Sequence, residues 1–206
     1  MISEINTEHK FIFVHIPKCG GCSMTRDQYY TRFGHNLRDE NYEYYKDSEL
    51  RKNSQFSFSF VRNPWERLVS SYAYLSDGGN CPDDSEEYNN LFSKFRNFRN
   101  TILNWHVNFF NQIHFKPQCE WICDDKNIIV DYVGRFETIQ EDYDTICDKI
   151  GIPRQELPHI NKSHHKHYTE YYDDETREIV AEKYAKDIEY FGYKFGDTSL
   201  NLESNV

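Results

Sequence analysis

Two short segments hold residues whose types and spacing suit chemistry. The first is PKCGGCSM, residues 17–24. Lys18 brings a mobile cation, Ser23 a hydroxyl, and Gly20 and Gly21 a backbone that a ligand can approach closely. With a strand leading in and a helix leading out, the N–H groups of such a turn face outward at the positive end of the helix, which favours an anion. The order is not that of the phosphate loop GxxxxGK[ST], because the lysine precedes the glycines. An ordinary strand-to-helix turn also accounts for the glycines. Cys19 and Cys22 form a C-x-x-C, a spacing that suits a redox dithiol or, with Cys119 and Cys123, a zinc site. The second pair is spaced C-x-x-x-C in a segment that reads as a strand, so the favoured role for these cysteines is small packing residues. The second segment is VRNPWERLVSSY, residues 61–72. Arg62 offers a planar fork that matches a phosphate, and Ser70 and Ser71 add hydroxyls.

The elements that must position these residues follow from hydrophobic pattern. FIFVHI (11–16) is a short β-branched and aromatic run, predicted as a buried strand, and FSFSFV (56–61) is predicted as a second strand. A helix is predicted from about 23 to 30. Pro64 stands where a helix begins, and Leu68, Val69, Tyr72 and Leu75 recur at helical spacing. Residues 77–84 read as a loop and 86–112 as helical and ring-rich. CEWIC (119–123) and IIVDYVG (128–134) read as strands, and 137–150 as a helix stopped by Gly151 and Pro153. The run HINKSHHKHY is a polar loop. Residues 174–190 form one amphipathic helix, and the last ten residues are frayed. Strands alternating with helices predict an α/β fold: a single three-layer domain over 1–206, core about 11–195, with a mostly parallel central sheet flanked by helices.

Composition bounds the function. The 206 residues carry 24 Lys and Arg against 34 Asp and Glu, a net charge of −10. A surplus of that sign argues against general binding to nucleic acid or anionic membrane. The first 80 residues hold ten charges of each sign, so the whole surplus lies after them and the two anion-suited segments sit in neutral sequence. Aromatic residues make up 17%, which predicts a core built on rings. No window reaches the roughly 18 apolar residues of a membrane span, and the polar first ten residues do not form a signal peptide. The expectation is a soluble, cytoplasmic chain with its six cysteines reduced.

Together the two segments resemble the motifs of the Golgi-type and bacterial carbohydrate sulfotransferases, which use 3′-phosphoadenosine 5′-phosphosulfate (PAPS). PKCGGCS is similar to that family's 5′-phosphosulfate loop. RNPWERLVSSY is similar to its 3′-phosphate motif, R-x-P-x-x-R-L-x-S-x-Y. Gly34-His35, HFKPQ (114–118), VGRFE (133–137), Asn161-Lys162-Ser163 and the closing DIEYFGYKF extend the likeness from about residue 11 to 195. Cys22 departs from the pattern, which has Thr or Ser there, so one hydroxyl contact to the 5′-phosphate is lost.

The resemblance implies in-line transfer of a sulfuryl group from PAPS to an acceptor hydroxyl. Lys18 would neutralise the leaving 5′-phosphate, and the backbone around Gly20, Gly21, Cys22 and Ser23 would hold the phosphosulfate. Arg62 and Ser70 would hold the 3′-phosphate, and a late loop with Lys162 and Ser163 would close over the nucleotide. A histidine would deprotonate the acceptor; His35 is favoured over His114. No metal is demanded, since a sulfuryl group bears less charge than a phosphoryl. The stretch 88–119 lacks any Asp or Glu while holding Arg96, Arg99, His114 and Lys116 among many rings. It reads either as a packed helix with a basic outer face or as the wall that meets a glycan acceptor. The competing classes are a phosphate-loop kinase, which would need its lysine after the glycines and a carboxylate for Mg²⁺, a non-catalytic nucleotide-binding protein of the same fold, and a thiol or zinc protein using Cys19 and Cys22. Acceptor identity and oligomeric state are not encoded in any motif.

Overall fold

A computed structural model describes residues 11–24, 56–79, 94–95, 97–105, 109, 112–124, 127–157 and 166–197. The fold is mixed α/β, as the alternation of strands and helices predicts, and among the described residues its sheet has three parallel strands in the order β1-β2-β3. The described residues gather into two compact units: those of Met1–Arg62 with Gln118–Asn161, and those of Asn63–Pro117 with Lys162–Val206.

The first unit holds the sheet. Strand β1 (Phe11–Val14) is buried along its whole length, and β2 (Phe56–Val61) is buried from its second residue on. Near-continuous burial of this kind is what a parallel sheet covered on both faces produces. Register aligns Phe13 with Phe58 and Phe60 with Gly134 of β3 (Tyr132–Arg135). The Phe13 and Phe58 rings stack at 5.1 Å. A Cβ on Gly134 would lie 2.6 Å from the Phe60 ring, so only glycine fits there. The serines of β2 are buried yet satisfied: Ser59 Oγ donates to the Val14 carbonyl at 2.7 Å, and Ser57 Oγ donates to Asp131 at 2.7 Å.

The strand predicted over 128–134 begins only at Tyr132. The Asp131 carboxylate also takes the Ser57 N–H, at 2.7 Å, so a side chain closes the ladder at its start. CEWIC is not a strand. Cys119–Ile122 forms one helical turn, α4, closed by Cys123 N–H donating to the Cys119 carbonyl at 2.8 Å. A five-residue run with four apolar residues is too short to show a period that separates a strand from a buried helical turn. Helix α5 (Ile139–Ile150) buries Tyr143, Ile146 and Cys147 at helical spacing and packs against β3 and β2. Gly151 ends it in the left-handed region with φ 76°. Asp142 on α5 accepts from the Tyr132 hydroxyl, the Arg135 N–H and Thr138 Oγ1. Burial and that hydrogen bond push the Tyr132 phenol up to about 12, so it stays a donor.

The second unit is helical. Asn63 caps α2 (Pro64–Ser76) by accepting from the Trp65 N–H at 3.1 Å, and Pro64 occupies the first turn. The buried face of α2 presents Trp65, Leu68, Val69 and Leu75 to a cluster that includes Phe98, Phe115, Tyr168, Val180 and Tyr184. Phe98, at the start of α3 (Phe98–Asn104), meets Tyr72, Tyr171 and Tyr172 edge-on at 5.1 to 5.6 Å. The helix predicted over 174–190 is two helices, α6 (Asp174–Lys183) and α7 (Ala185–Phe191). They part at Tyr184, where ψ rises to 25° and the hydroxyl is tied to the Phe115 carbonyl at 2.6 Å. No helix among the described residues is long and apolar enough to cross a membrane. The long helix predicted over 86–112 is not continuous: the backbone is extended at Asn97 and Trp105, and α3 is the seven residues between them. The loop beyond Gly79, the 158–165 run and the last nine residues lie outside the described residues.

Candidate functional site

Strand β1 delivers the first loop in the first unit. The chain leaves Val14 through His15, Ile16 and Pro17, then turns at Lys18, whose φ is 69°. A lysine in the left-handed region holds a sparsely populated conformation that neighbouring contacts must enforce. One such contact is visible: Arg62, leaving the end of β2, donates from Nη1 to the Lys18 carbonyl at 3.2 Å. Gly20 is also left-handed, at φ 86°, and a Cβ there would stand 2.3 Å from Cδ1 of Ile139 at the start of α5. A Cβ on Gly21 would stand 2.0 Å from the His15 ring. Gly20 is therefore favoured by its left-handed turn with close packing beside it, and Gly21 by close packing alone. Helix α1 (Gly21–Met24) follows, and Ser23 N–H donates back to the Gly20 carbonyl at 3.0 Å.

Arg62 is the second component of the same unit. It is 6% exposed, and its guanidinium carbon lies 4.0 Å above the centre of the Phe136 ring. Its own backbone is held by Gln118: the Arg62 N–H donates to Gln118 Oε1 at 2.8 Å, and Gln118 Nε2 donates to the Arg62 carbonyl at 2.8 Å. The Cys19 thiol donates to the same Oε1 at 3.2 Å. Lys18, Cys19, Gly20 and Arg62 thus meet through named contacts. A rigid loop is joined to an arginine whose charge sits in a poorly hydrated setting, where an anion is attracted far more strongly than in open water. Cys19, Cys119, Cys123 and Cys147 are buried thiols; in Cys19 the thiol serves packing and a hydrogen bond.

The second unit contains the rest of the described candidates. Ser70, on α2, is 3% exposed. Ser71 Oγ donates to the His114 carbonyl at 2.8 Å, and Arg67 donates to the carbonyls of Lys116 at 2.9 Å and Ile113 at 3.4 Å. Tyr184 takes the Phe115 carbonyl, so four successive carbonyls are held by side chains. His114 itself is 7% exposed, with its ring 5.4 Å from that of Tyr74. Arg99 donates to Asp173 and Glu175, both at 2.6 Å. The Thr176 N–H first, and the Arg99 guanidinium next, hold the Asp173 carboxyl well below the usual range. The charge of Arg99 is therefore matched locally by two carboxylates. His35, Arg96, Lys162, Ser163 and the side chain of Cys22 lie outside the described residues.

Residues 4–194 match the model of the sulfotransferase family. The chain belongs to that family. It is similar to human carbohydrate sulfotransferase 9, with 24% identity over 217 aligned positions that cover 89% of this chain and 47% of the human protein. It thus spans about half the length of that relative. An uncharacterized protein of Archaeoglobus fulgidus is 30% identical over 112 positions, covering 54% of this chain and 80% of its own. No solved structure matches the chain. Within this member of the sulfotransferase family, Gln118 and Phe136 are two residues at Arg62 that motif reading assigned no part. Both stand in short runs that carry the family likeness, HFKPQ and VGRFE, and that was the available signal. Arg67 and Ser71 belong to the second motif itself, yet their partners are backbone carbonyls of 113–116.

Proposed function

We propose that this chain is a PAPS-dependent O-sulfotransferase acting on a hydroxyl of a carbohydrate or glycoconjugate. The observation that carries the reading is the bond from Arg62 to the Lys18 carbonyl, which ties the two anion-suited segments together. PAPS supplies an activated sulfuryl group and a leaving 5′-phosphate. The tight turn at Gly20 and Gly21 leaves no room for side chains and so fits a loop that holds a phosphosulfate by its backbone. The N–H groups around Gly20, Gly21 and Cys22 hold the phosphosulfate, Ser23 adds its hydroxyl because its own N–H is spent on the Gly20 carbonyl, and Lys18 places its ammonium at the developing charge. Arg62, with Ser70, binds the 3′-phosphate, and Lys162 and Ser163 close over it. His35 takes the acceptor proton; the burial of His114 supports a packing role for that ring. Arg96 and Lys116 meet acidic groups on the acceptor, while Arg99 serves the 97–105 segment through its two carboxylate partners. The human relative's name speaks for a carbohydrate acceptor.

Thermal melts with adenosine 3′,5′-bisphosphate, with ATP and Mg²⁺, and with dithiothreitol separate the classes. The bisphosphate alone stabilises the protein, by RT ln(1 + [L]/Kd). In transfer assays with labelled PAPS and a panel of glycans, Lys18→Ala lowers turnover by about 10²-fold or more, the scale of losing one transition-state donor. Stabilisation by ATP and Mg²⁺ in place of the bisphosphate refutes the proposal.

A further inference from the structure

The amide of Gln118 holds both backbone groups of Arg62 at once. Strand β2 ends at Val61, paired with Arg135, and Arg62 is the first residue past that ladder. A residue leaving a sheet needs new partners for its N–H and carbonyl. Here one side chain supplies both, at 2.8 Å each, as a neighbouring strand would. The same Oε1 accepts the Cys19 thiol at 3.2 Å, and Arg62 in turn donates to the Lys18 carbonyl. The contacts close a ring: Cys19 to Gln118, Gln118 to Arg62, Arg62 to Lys18. Gln118 is fully buried, and a primary amide is the one side-chain group that can accept and donate in this paired manner.

We propose that Gln118 is a positioning residue that sets the reach from the first loop to the Arg62 guanidinium, and so the recognition of the donor's 3′-phosphate. The inference rests on the reading that the loop takes the 5′-phosphosulfate and Arg62 the 3′-phosphate. Gln118 touches neither the donor nor the acceptor. It acts by fixing the backbone from which Arg62 projects, a displacement of about 1 Å being enough to weaken a charge-assisted contact substantially.

The test is calorimetry of adenosine 3′,5′-bisphosphate and adenosine 5′-phosphate, with the ratio of the two affinities as the readout. Gln118→Met keeps volume and removes all three bonds. The preference for the bisphosphate falls about tenfold, the scale of one or two lost hydrogen bonds to a charged group, while adenosine 5′-phosphate binds as before. A residue with a merely structural role would weaken both nucleotides alike and leave the ratio intact, and that outcome overturns the inference. Should Gln118→Met fail to fold, Gln118→Asn decides it: the amide is kept but drawn back by one methylene from the Arg62 backbone, and the ratio falls about threefold or more. An unchanged ratio in Gln118→Asn also overturns it. Wild-type protein without a preference for the bisphosphate removes the underlying reading, which the two variants cannot do.

Discussion

Replacing Gly20 by alanine tests the loop directly, and two other glycines make the test quantitative. Gly20 has φ 86°, and its absent Cβ would lie 2.3 Å from Ile139 Cδ1 and 3.3 Å from Phe136 Cδ2. The left-handed backbone alone costs an alanine about 1–2 kcal/mol. The contact must open by more than 1 Å to reach the ordinary ~3.5–4 Å separation of carbon atoms. The Ile139 tip is flexible, but the Phe136 ring blocks one way out, so overpacking adds about 1–3 kcal/mol. Gly20→Ala should therefore cost about 2–5 kcal/mol in all. Gly151 is also left-handed, at φ 76°, with nothing within 4 Å of its missing Cβ; Gly151→Ala carries the backbone cost alone, about 1–2 kcal/mol. Gly21 is not left-handed, but a Cβ there strikes three atoms of the His15 ring at 2.0 to 2.9 Å; Gly21→Ala carries a clash alone. Urea unfolding of the three variants, with calorimetry of adenosine 3′,5′-bisphosphate on each, resolves the terms. Gly20→Ala and Gly21→Ala should both weaken the nucleotide, and Gly151→Ala should not. Equal unfolding free energies for Gly20→Ala and Gly151→Ala, with wild-type nucleotide affinity in both, refute the reasoning.

Two predictions concern the helical unit. Arg67→Met leaves the carbonyls of Lys116 and Ile113 without their buried donor and should lower unfolding free energy by about 2–4 kcal/mol in urea titration. A loss below about 0.5 kcal/mol, the scatter of neutral surface changes, contradicts that role. Asp173→Asn keeps a cap on α6 but removes a carboxylate whose folded-state value is depressed. Such a group stabilises above its unfolded value, near 4, and that stabilisation is lost as the pH falls through the folded value. The melting temperature of wild type should exceed that of the variant at pH 7, and the gap should close below about pH 4; a gap independent of pH counts against it.

Much of the frame was legible in the sequence because burial on both faces leaves a plain signature. FIFV is a run with no solvent side, FSFSFV alternates rings with serines that burial had to satisfy, and both are strands. Pro64 announces α2 because a missing N–H at a helix start is a local effect. CEWIC failed as a strand because five residues, four of them apolar around Glu120, are too few to carry a period. The long helix over 174–190 failed at one residue, since the tie of Tyr184 to Phe115 spans 69 positions and has no local trace. In the candidate site, Lys18, the two glycines and Arg62 were readable as anion chemistry. Gln118 was not: what a buried amide does depends on the partners folding brings to it. Arg99 was read as one of the cations of a possible acceptor wall; its two carboxylate partners lie 74 and 76 positions away.

The four carbonyls of residues 113–116 are each gripped by a side chain from elsewhere in the helical unit. Two of the amides, those of Phe115 and Lys116, turn back to the Gln112 carbonyl. The path of this segment is therefore written in Arg67, Ser71 and Tyr184 as well as in its own buried Phe115 and His114. Related chains can exchange Ile113 or Lys116 without altering the backbone trace, whereas inserting or deleting one residue would throw every grip out of step. Drift in side-chain identity at constant length is the pattern of variation this arrangement permits, and it is how one scaffold could be retuned from one acceptor to another.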